Sequence, residues 1–140
     1  IPGVFEPVIR DGMRLVDGGI ADNVPVGPAR DLGRWPVVAV DVLPCLETNR
    51  PGAPPTVAPI RNPHLPGLVN DSVQAQLVMA SALTACRLRA HPPELLLRPE
   101  MAPEISILAG FTRAEEIIAA GVDAAETALP QLHHLARDGD

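Results

Sequence analysis

The chain has 140 residues, 46% of them apolar and 20% charged, enough for about one domain with a packed core, and disorder is excluded as its main state. Eleven basic residues, all Arg, stand against seventeen acidic ones for a formal charge of −6, which repels a polyphosphate backbone unless the positive charges cluster. They do not, so nucleic acid is excluded as a partner.

The first predicted element is a hairpin. Val8-Ile9-Arg10 and Met13-Arg14-Leu15-Val16 flank Asp11-Gly12, the dipeptide that best fits a primed two-residue turn. Asp17 stands where the second strand ends, and Gly18 and Gly19 remove side-chain bulk and widen the backbone choices as the chain leaves it. A short helix is expected from Pro25, in its first turn, to about Leu32, with Gly33 just past its end. Pro36-Val37-Val38-Ala39-Val40-Asp41-Val42 has the β-branched, almost uninterrupted composition of a strand buried on both faces of a parallel sheet.

From Pro44 to Pro66 the chain carries seven prolines and few apolar groups, which predicts a long surface loop over 44–66. A long amphipathic helix is predicted over 68–89, with Val69, Val73, Leu77, Ala80 and Leu83 as its apolar stripe and Arg87 and Arg89 in a last turn that suits the helix dipole. Pro92 and Pro93 stop it, and Leu95-Leu96-Leu97 reads as a short strand. Thr112 and Glu115 form a capping-box pattern ahead of a last helix running to about His134. Its expected inward face is Ile118, Val122, Ala125, Leu129 and Leu132, with an interruption at Pro130.

Few residues form a pattern with chemical meaning. Cys45 and Cys86 have neither the spacing of a metal or redox pair nor the density of a disulfide scaffold, which suits free thiols in a reducing, cytoplasmic setting. His133 and His134 are adjacent and diverge by about 100° on a helix, while His64 and His91 stand alone beside prolines, so no metal site is expected. Asp41 ends a strand as a ribose-binding acid does, yet no glycine-rich phosphate turn precedes it. Ser72, Ser81 and Ser106 lack flanking glycines, and no G-x-S-x-G elbow occurs in the 140 residues.

Taken together, Ile1-Pro2-Gly3-Val4-Phe5-Glu6-Pro7-Val8, Leu15-Val16-Asp17-Gly18-Gly19, Asp22-Asn23-Val24-Pro25-Val26, Ala29-Arg30-Asp31-Leu32-Gly33 and Val37-Val38-Ala39-Val40-Asp41-Val42 resemble the C-terminal half of the catalytic domain of patatin-like phospholipases. Bacterial members similar to neuropathy target esterase are the nearest in kind. Leu95-Leu96-Leu97-Arg98-Pro99, Phe111-Thr112-Arg113-Ala114 and Ile118-Ala119-Ala120-Gly121 resemble that family's end. The likeness spans residues 1 to about 43 and, more loosely, 94 to 135, and leaves the Pro-rich loop uncovered.

The resemblance implies a partial three-layer α/β sandwich with a mainly parallel sheet, its N-terminal half lying outside these residues. The strands near Leu15, Val38 and Leu96 would share that sheet, and a sheet edge or helix face left exposed would favour association. It implies a serine hydrolase of lipid esters, met at a membrane surface, that uses a Ser-Asp dyad and no cofactor. Asp17 would be the general base, Gly18 and Gly19 its motif partners, and Asn23 with Pro25 the supporting Asn-x-Pro. Asp22 stands where the family commonly has a first Asn. The nucleophile would lie upstream, so this chain, which begins at Ile1 without Met, is expected to be part of a longer protein and inactive alone. A non-catalytic fragment or binding module that keeps the fold is the competing expectation.

Overall fold

The structure, a computed structural model, describes residues 6–46, 56–57, 59, 66–101 and 113–138. It is a mixed α/β fold with two small sheets and four α-helices among these residues. β1 (Val8–Arg10) and β2 (Met13–Leu15) form an antiparallel hairpin with Val8 opposite Leu15 and Arg10 opposite Met13. Its turn residues Asp11 and Gly12 have φ of 51° and 74°, the left-handed pair a primed turn demands. α1 (Val26–Asp31) follows with Pro25 as its N-cap, so the helix begins one position later than the expected first turn at Pro25. Pro28 falls in the first turn, where its missing N–H breaks no bond. Gly33 leaves room for Trp35, because a Cβ there would lie 2.9 Å from Trp35 Cδ1.

β3 (Val38–Val40) and β4 (Leu95–Leu97) pair in parallel, Val38 opposite Leu95 and Val40 opposite Leu97. Between them in sequence runs α2 (Gly67–Ala90), matching the expected 68–89. The core gathers Val24, Val26, Ala39 and Leu88, with Val37 and Leu96 against it. It therefore joins the entry to α1, one face of the parallel pair and the C-terminal end of α2.

Three expectations change here. The strand at Leu15 does not share a sheet with those at Val38 and Leu96, since β2 pairs with β1 alone among the described residues. The tight turn satisfies the hairpin locally, whereas a parallel neighbour requires a crossover. β3 is buried on its Ala39 face only, with Val38 and Val40 exposed. The buried stripe of α2 is Leu77, Ser81, Thr84 and Leu88, while Val69 and Leu83 are exposed. Two hydroxyl residues can be buried there because short side chains admit close neighbours, and Ser81 Oγ donates to the Pro44 carbonyl at 2.9 Å.

The last helical segment divides into α3 (Ala114–Thr127) and α4 (Leu129–Asp138), with Pro130 in the first turn of α4. Ile118 and Val122 are exposed, contrary to expectation, and Ala128 is the buried residue at the junction. Ala120, Ala124 and Ala128 line a cleft with Leu95, Leu96 and Leu97; small side chains bring a helix nearer a strand than Ile or Val would. Arg113, not Thr112, is the N-cap of α3 and pairs with Glu116. Thr112 lies outside the described residues, as does most of the Pro-rich segment, but Val57 within it is buried and its carbonyl accepts from Gln74 Nε2 at 3.1 Å. No described helix is long and apolar enough to cross a membrane.

A polar clamp ties α1 to the parallel pair. Arg30 Nη2 donates to the Pro92 carbonyl at 2.6 Å and to Glu94 Oε1 at 2.8 Å, and the Val37 N–H donates to Glu94 Oε2 at 2.7 Å. The Val37 N–H first, and the Arg30 guanidinium after it, hold the Glu94 carboxyl below its ordinary value. The stabilisation is therefore complete above the ordinary glutamate pKa of about 4.3 and disappears as pH falls through the lowered folded value. Glu116, lowered by Arg113, acts in the same direction. Glu94→Gln should flatten the fall in melting temperature between about pH 5 and pH 3; parallel wild-type and variant curves would refute the clamp.

Candidate functional site

Asp17 lies two residues beyond β2, at the N-cap of a 3₁₀ turn, Gly18–Ile20. Its φ of −57° and ψ of 123° aim the carboxylate back over the turn, where Oδ1 accepts the Gly19 N–H at 2.9 Å. The turn closes through the Ala21 and Asp22 N–H groups, each donating to the Gly18 carbonyl at 3.0 Å. An acidic cap is favourable there, because the first N–H groups of a helical turn have no partner within it. The residue remains exposed, so its carboxylate is positioned by the backbone without being withdrawn from solvent.

Gly19 shows why the motif needs a small residue. A Cβ at this position would approach Asn23 Oδ1 to 3.0 Å and Asp17 Oδ1 to 3.2 Å. The side-chain oxygens of Asp17 and Asn23 thus converge on one backbone position, and Gly19 sits between them. Gly18 is different, because nothing lies within 4 Å of its Cβ position, and neither glycine uses a positive φ. Gly18→Ala should leave stability unchanged or raise it by up to about 1 kcal/mol through the unfolded chain. Gly19→Ala should instead lower the melting temperature and displace Asn23. Thermal melts of the two variants compare them directly, and equal effects would argue against the packed turn.

The four residues singled out from the sequence, Asp17, Gly18, Gly19 and Asn23, therefore occupy a single turn. Val24, the next residue, enters the core against β3, which anchors the turn to the parallel pair. Asp22 adds a feature that its sequence pattern did not disclose: its Oδ1 is buried and accepts no hydrogen bond, the one such side-chain atom among the described residues. An Asp where the resembled family commonly has Asn offers an acceptor but no donor.

Among the other candidates, Asp41 and Ser81 are held in structural hydrogen bonds. Asp41 is buried and accepts from Arg98 Nε and Nη2, both at 3.2 Å, and from the Leu43 N–H at 3.1 Å. It locks the ends of β3 and β4 together. Asp41 and Arg98 line a cleft of about 380 Å³ with Cys45, Ser81 and Arg89. Ser81 there is bonded to a carbonyl, and Ser72 lies on the exposed side of α2. Ser106 and His64 are outside the described residues. Cys45 and Cys86 are free thiols, and no group of three or more His, Cys, Asp or Glu able to hold a metal occurs among the described residues. No protein-family model matches the chain.

Proposed function

We propose that this chain supplies the general base of a patatin-like serine hydrolase of lipid esters, with Asp17 as the base and the nucleophilic serine on a segment upstream of Ile1. The observation that carries the reading is the Asp17 turn: an exposed carboxylate set by the Gly19 N–H at 2.9 Å, with Asn23 beside it, in an Asp-Gly-Gly sequence followed by Asn-x-Pro. The parallel pair of β3 and β4, with α2 packed on one face through Leu88, supports an α/β layer, whereas the hairpin standing in a sheet of its own counts against one sheet that includes the strand before Asp17.

In this mechanism Asp17 takes the proton of the serine hydroxyl as its oxygen bonds to the ester carbonyl carbon. The tetrahedral oxyanion is held by backbone N–H groups of the upstream segment. Collapse expels the alcohol, which receives the proton from Asp17 and leaves an acyl-serine. Water then gives a proton to Asp17, attacks the acyl carbon and releases the fatty acid, and the proton returns to the serine. No cofactor enters these steps.

The absence of a G-x-S-x-G elbow in the 140 residues favours one competing reading, a binding module that retains the fold without the chemistry. A fluorophosphonate probe separates the two. The 140-residue chain should not label, whereas the polypeptide extended upstream through its reading frame should label at a serine within a glycine-flanked elbow. Labelling of Ser72, Ser81 or Ser106, or no labelling of the extended protein, would defeat the hydrolase assignment.

A further inference from the structure

The cleft beside Asp41 lies where the two parallel strands end. Asp41 directly follows β3 and Arg98 directly follows β4, and both line the cleft, so it opens at the carboxyl edge of the pair. Open α/β sheets receive ligands at that edge, because each strand there gives way to a loop that can turn side chains toward a common space. The loop after β3 closes one side with Leu43, Pro44 and Leu46, and α2 closes another with Ser81, Ala85 and Arg89.

Two guanidiniums reach this space, from either side of Pro92 and Pro93. Arg98 is held in place by Asp41: its Nε and Nη2 donate to Oδ2, both at 3.2 Å, while Oδ1 accepts the Leu43 N–H at 3.1 Å. The carboxylate is thus buried with both oxygens engaged, whereas the Arg98 side chain is 48% exposed and its Nη1 donors are unused among the described residues. Arg89 forms no side-chain hydrogen bond or ion pair among the described residues. Ser81, Ala85 and Arg89 follow one another at one-turn spacing, and helix side chains lean toward the N-terminus, which directs the Arg89 guanidinium over two short residues and away from the carbonyls that end α2. The cleft therefore gathers two Arg against one Asp on a chain of formal charge −6.

We infer that this cleft binds a small phosphate monoester, with its phosphoryl oxygens taken by Arg89 and Arg98 and its carbon skeleton laid against Leu43, Pro44 and Leu46. The fork of a guanidinium matches the spacing of phosphate oxygens. Arg98 supplies directed donors that Asp41 has already oriented, which lowers the cost of ordering them on binding, and Arg89 supplies the charge that no neighbour balances. A polyphosphate would bring more negative charge than these two groups can meet, since Asp41 already offsets one of them. The cleft, about 380 Å³, has the size of a small ligand pocket, and its apolar wall calls for an organic group beside the oxyanion. A soluble phosphorylated compound and a lipid phosphate present the same chemistry here. The inference stands apart from the role of Asp17, since no residue of the Asp17 turn lines this cleft.

Cys45 reports on this space because it lines the cleft, and Cys86, also an exposed free thiol, does not. The 140-residue chain is alkylated with iodoacetamide in glycerol 3-phosphate or in sodium chloride of the same ionic strength, and each cysteine is read by peptide mass spectrometry. For a Kd of about 1 mM, a concentration of about 10 mM should slow Cys45 roughly tenfold and leave Cys86 unchanged. Arg89→Gln, at an exposed side chain, should preserve the circular dichroism and melting temperature and remove the protection, whereas Arg87→Gln, outside the cleft, should retain it. Arg98→Lys keeps the charge beside Asp41 but loses the fork, and should weaken the protection several-fold. Vesicles of phosphatidylcholine with phosphatidic acid form a second arm: protection by glycerol 3-phosphate supports the site with a soluble ester as its source, and protection of Cys45 by the vesicles alone supports it with a lipid phosphate. Protection by neither, equal slowing in sodium chloride or at Cys86, or protection that survives both Arg89→Gln and Arg98→Lys would overturn the inference.

Discussion

Asp17→Asn, made in the protein that carries its nucleophile, should lower kcat by about 10² to 10⁴, equivalent to roughly 3 to 5 kcal/mol of activation barrier. Asn is nearly isosteric with Asp, and its carbonyl oxygen can still accept the Gly19 N–H that Asp17 Oδ1 accepts at 2.9 Å. Asn is also as good an N-cap as Asp, so the turn and the melting temperature should change little. What Asn cannot do is take the serine proton. If Asp17 merely shapes the turn, the same substitution should alter esterase activity by less than about threefold, because Asn satisfies the same N-cap role. Measuring kcat and melting temperature on one preparation therefore separates a base from a cap, and an unchanged kcat would end the dyad assignment.

Leu88→Ala should produce the largest loss of stability, about 2 to 5 kcal/mol. Leu88 is 8% exposed and is the largest of the four buried members of the cluster, beside Val24, Val26 and Ala39, with Val37 and Leu96 partly buried against it. Truncation there leaves a cavity between α2 and β3 that small neighbours cannot fill. A domain of this size has a total stability of about 5 to 15 kcal/mol, so the loss is a large share of it and should appear as a midpoint shift of roughly 10 °C. Leu32→Ala supplies the comparison, since Leu32 is 91% exposed and its truncation should cost no more than about 0.5 kcal/mol. Denaturant titration of both variants checks the contrast. Equal losses would mean that the core does not lie where α2 meets β3.

The two results bear on different links between sequence and function. The Asp17 turn is local, closing within six residues, and it serves chemistry only if a second segment reaches it. The Leu88 cluster is non-local and holds the ground on which that turn stands, because Val24 follows Asn23 directly into it. Eighteen large apolar residues are exposed among the described ones, against seven buried hydrophobic residues, so the described elements bury only a small core.

By itself the sequence determined what short-range stereochemistry controls. Asp11-Gly12 allowed a left-handed pair at the hairpin turn, Pro92 and Pro93 ended α2 near Arg89, and Pro130 marked the division of the last helix. Asp17, Gly18, Gly19 and Asn23 were singled out together by the resemblance alone; the structure supplies the local reason they share one turn, the Gly19 N–H accepted by Asp17 and Asn23 Oδ1 close to the Gly19 backbone. Which face each element buries was decided only by tertiary structure. Periodicity marked Leu77 correctly in α2 but also Val69 and Leu83, and Ile118 and Val122 in α3, which are exposed, whereas Ser81, Thr84, Leu88 and Ala128 are buried, because close approach to a neighbour selects small or well-matched side chains over the most hydrophobic ones. The composition of β3 suited burial on both sides, but burial needs a second layer, and the described residues provide it on the Ala39 face alone. Arg30 meets Glu94 across 64 residues and Asp41 meets Arg98 across 57; such pairs leave no local mark in the sequence, since only the parallel crossover brings their ends together.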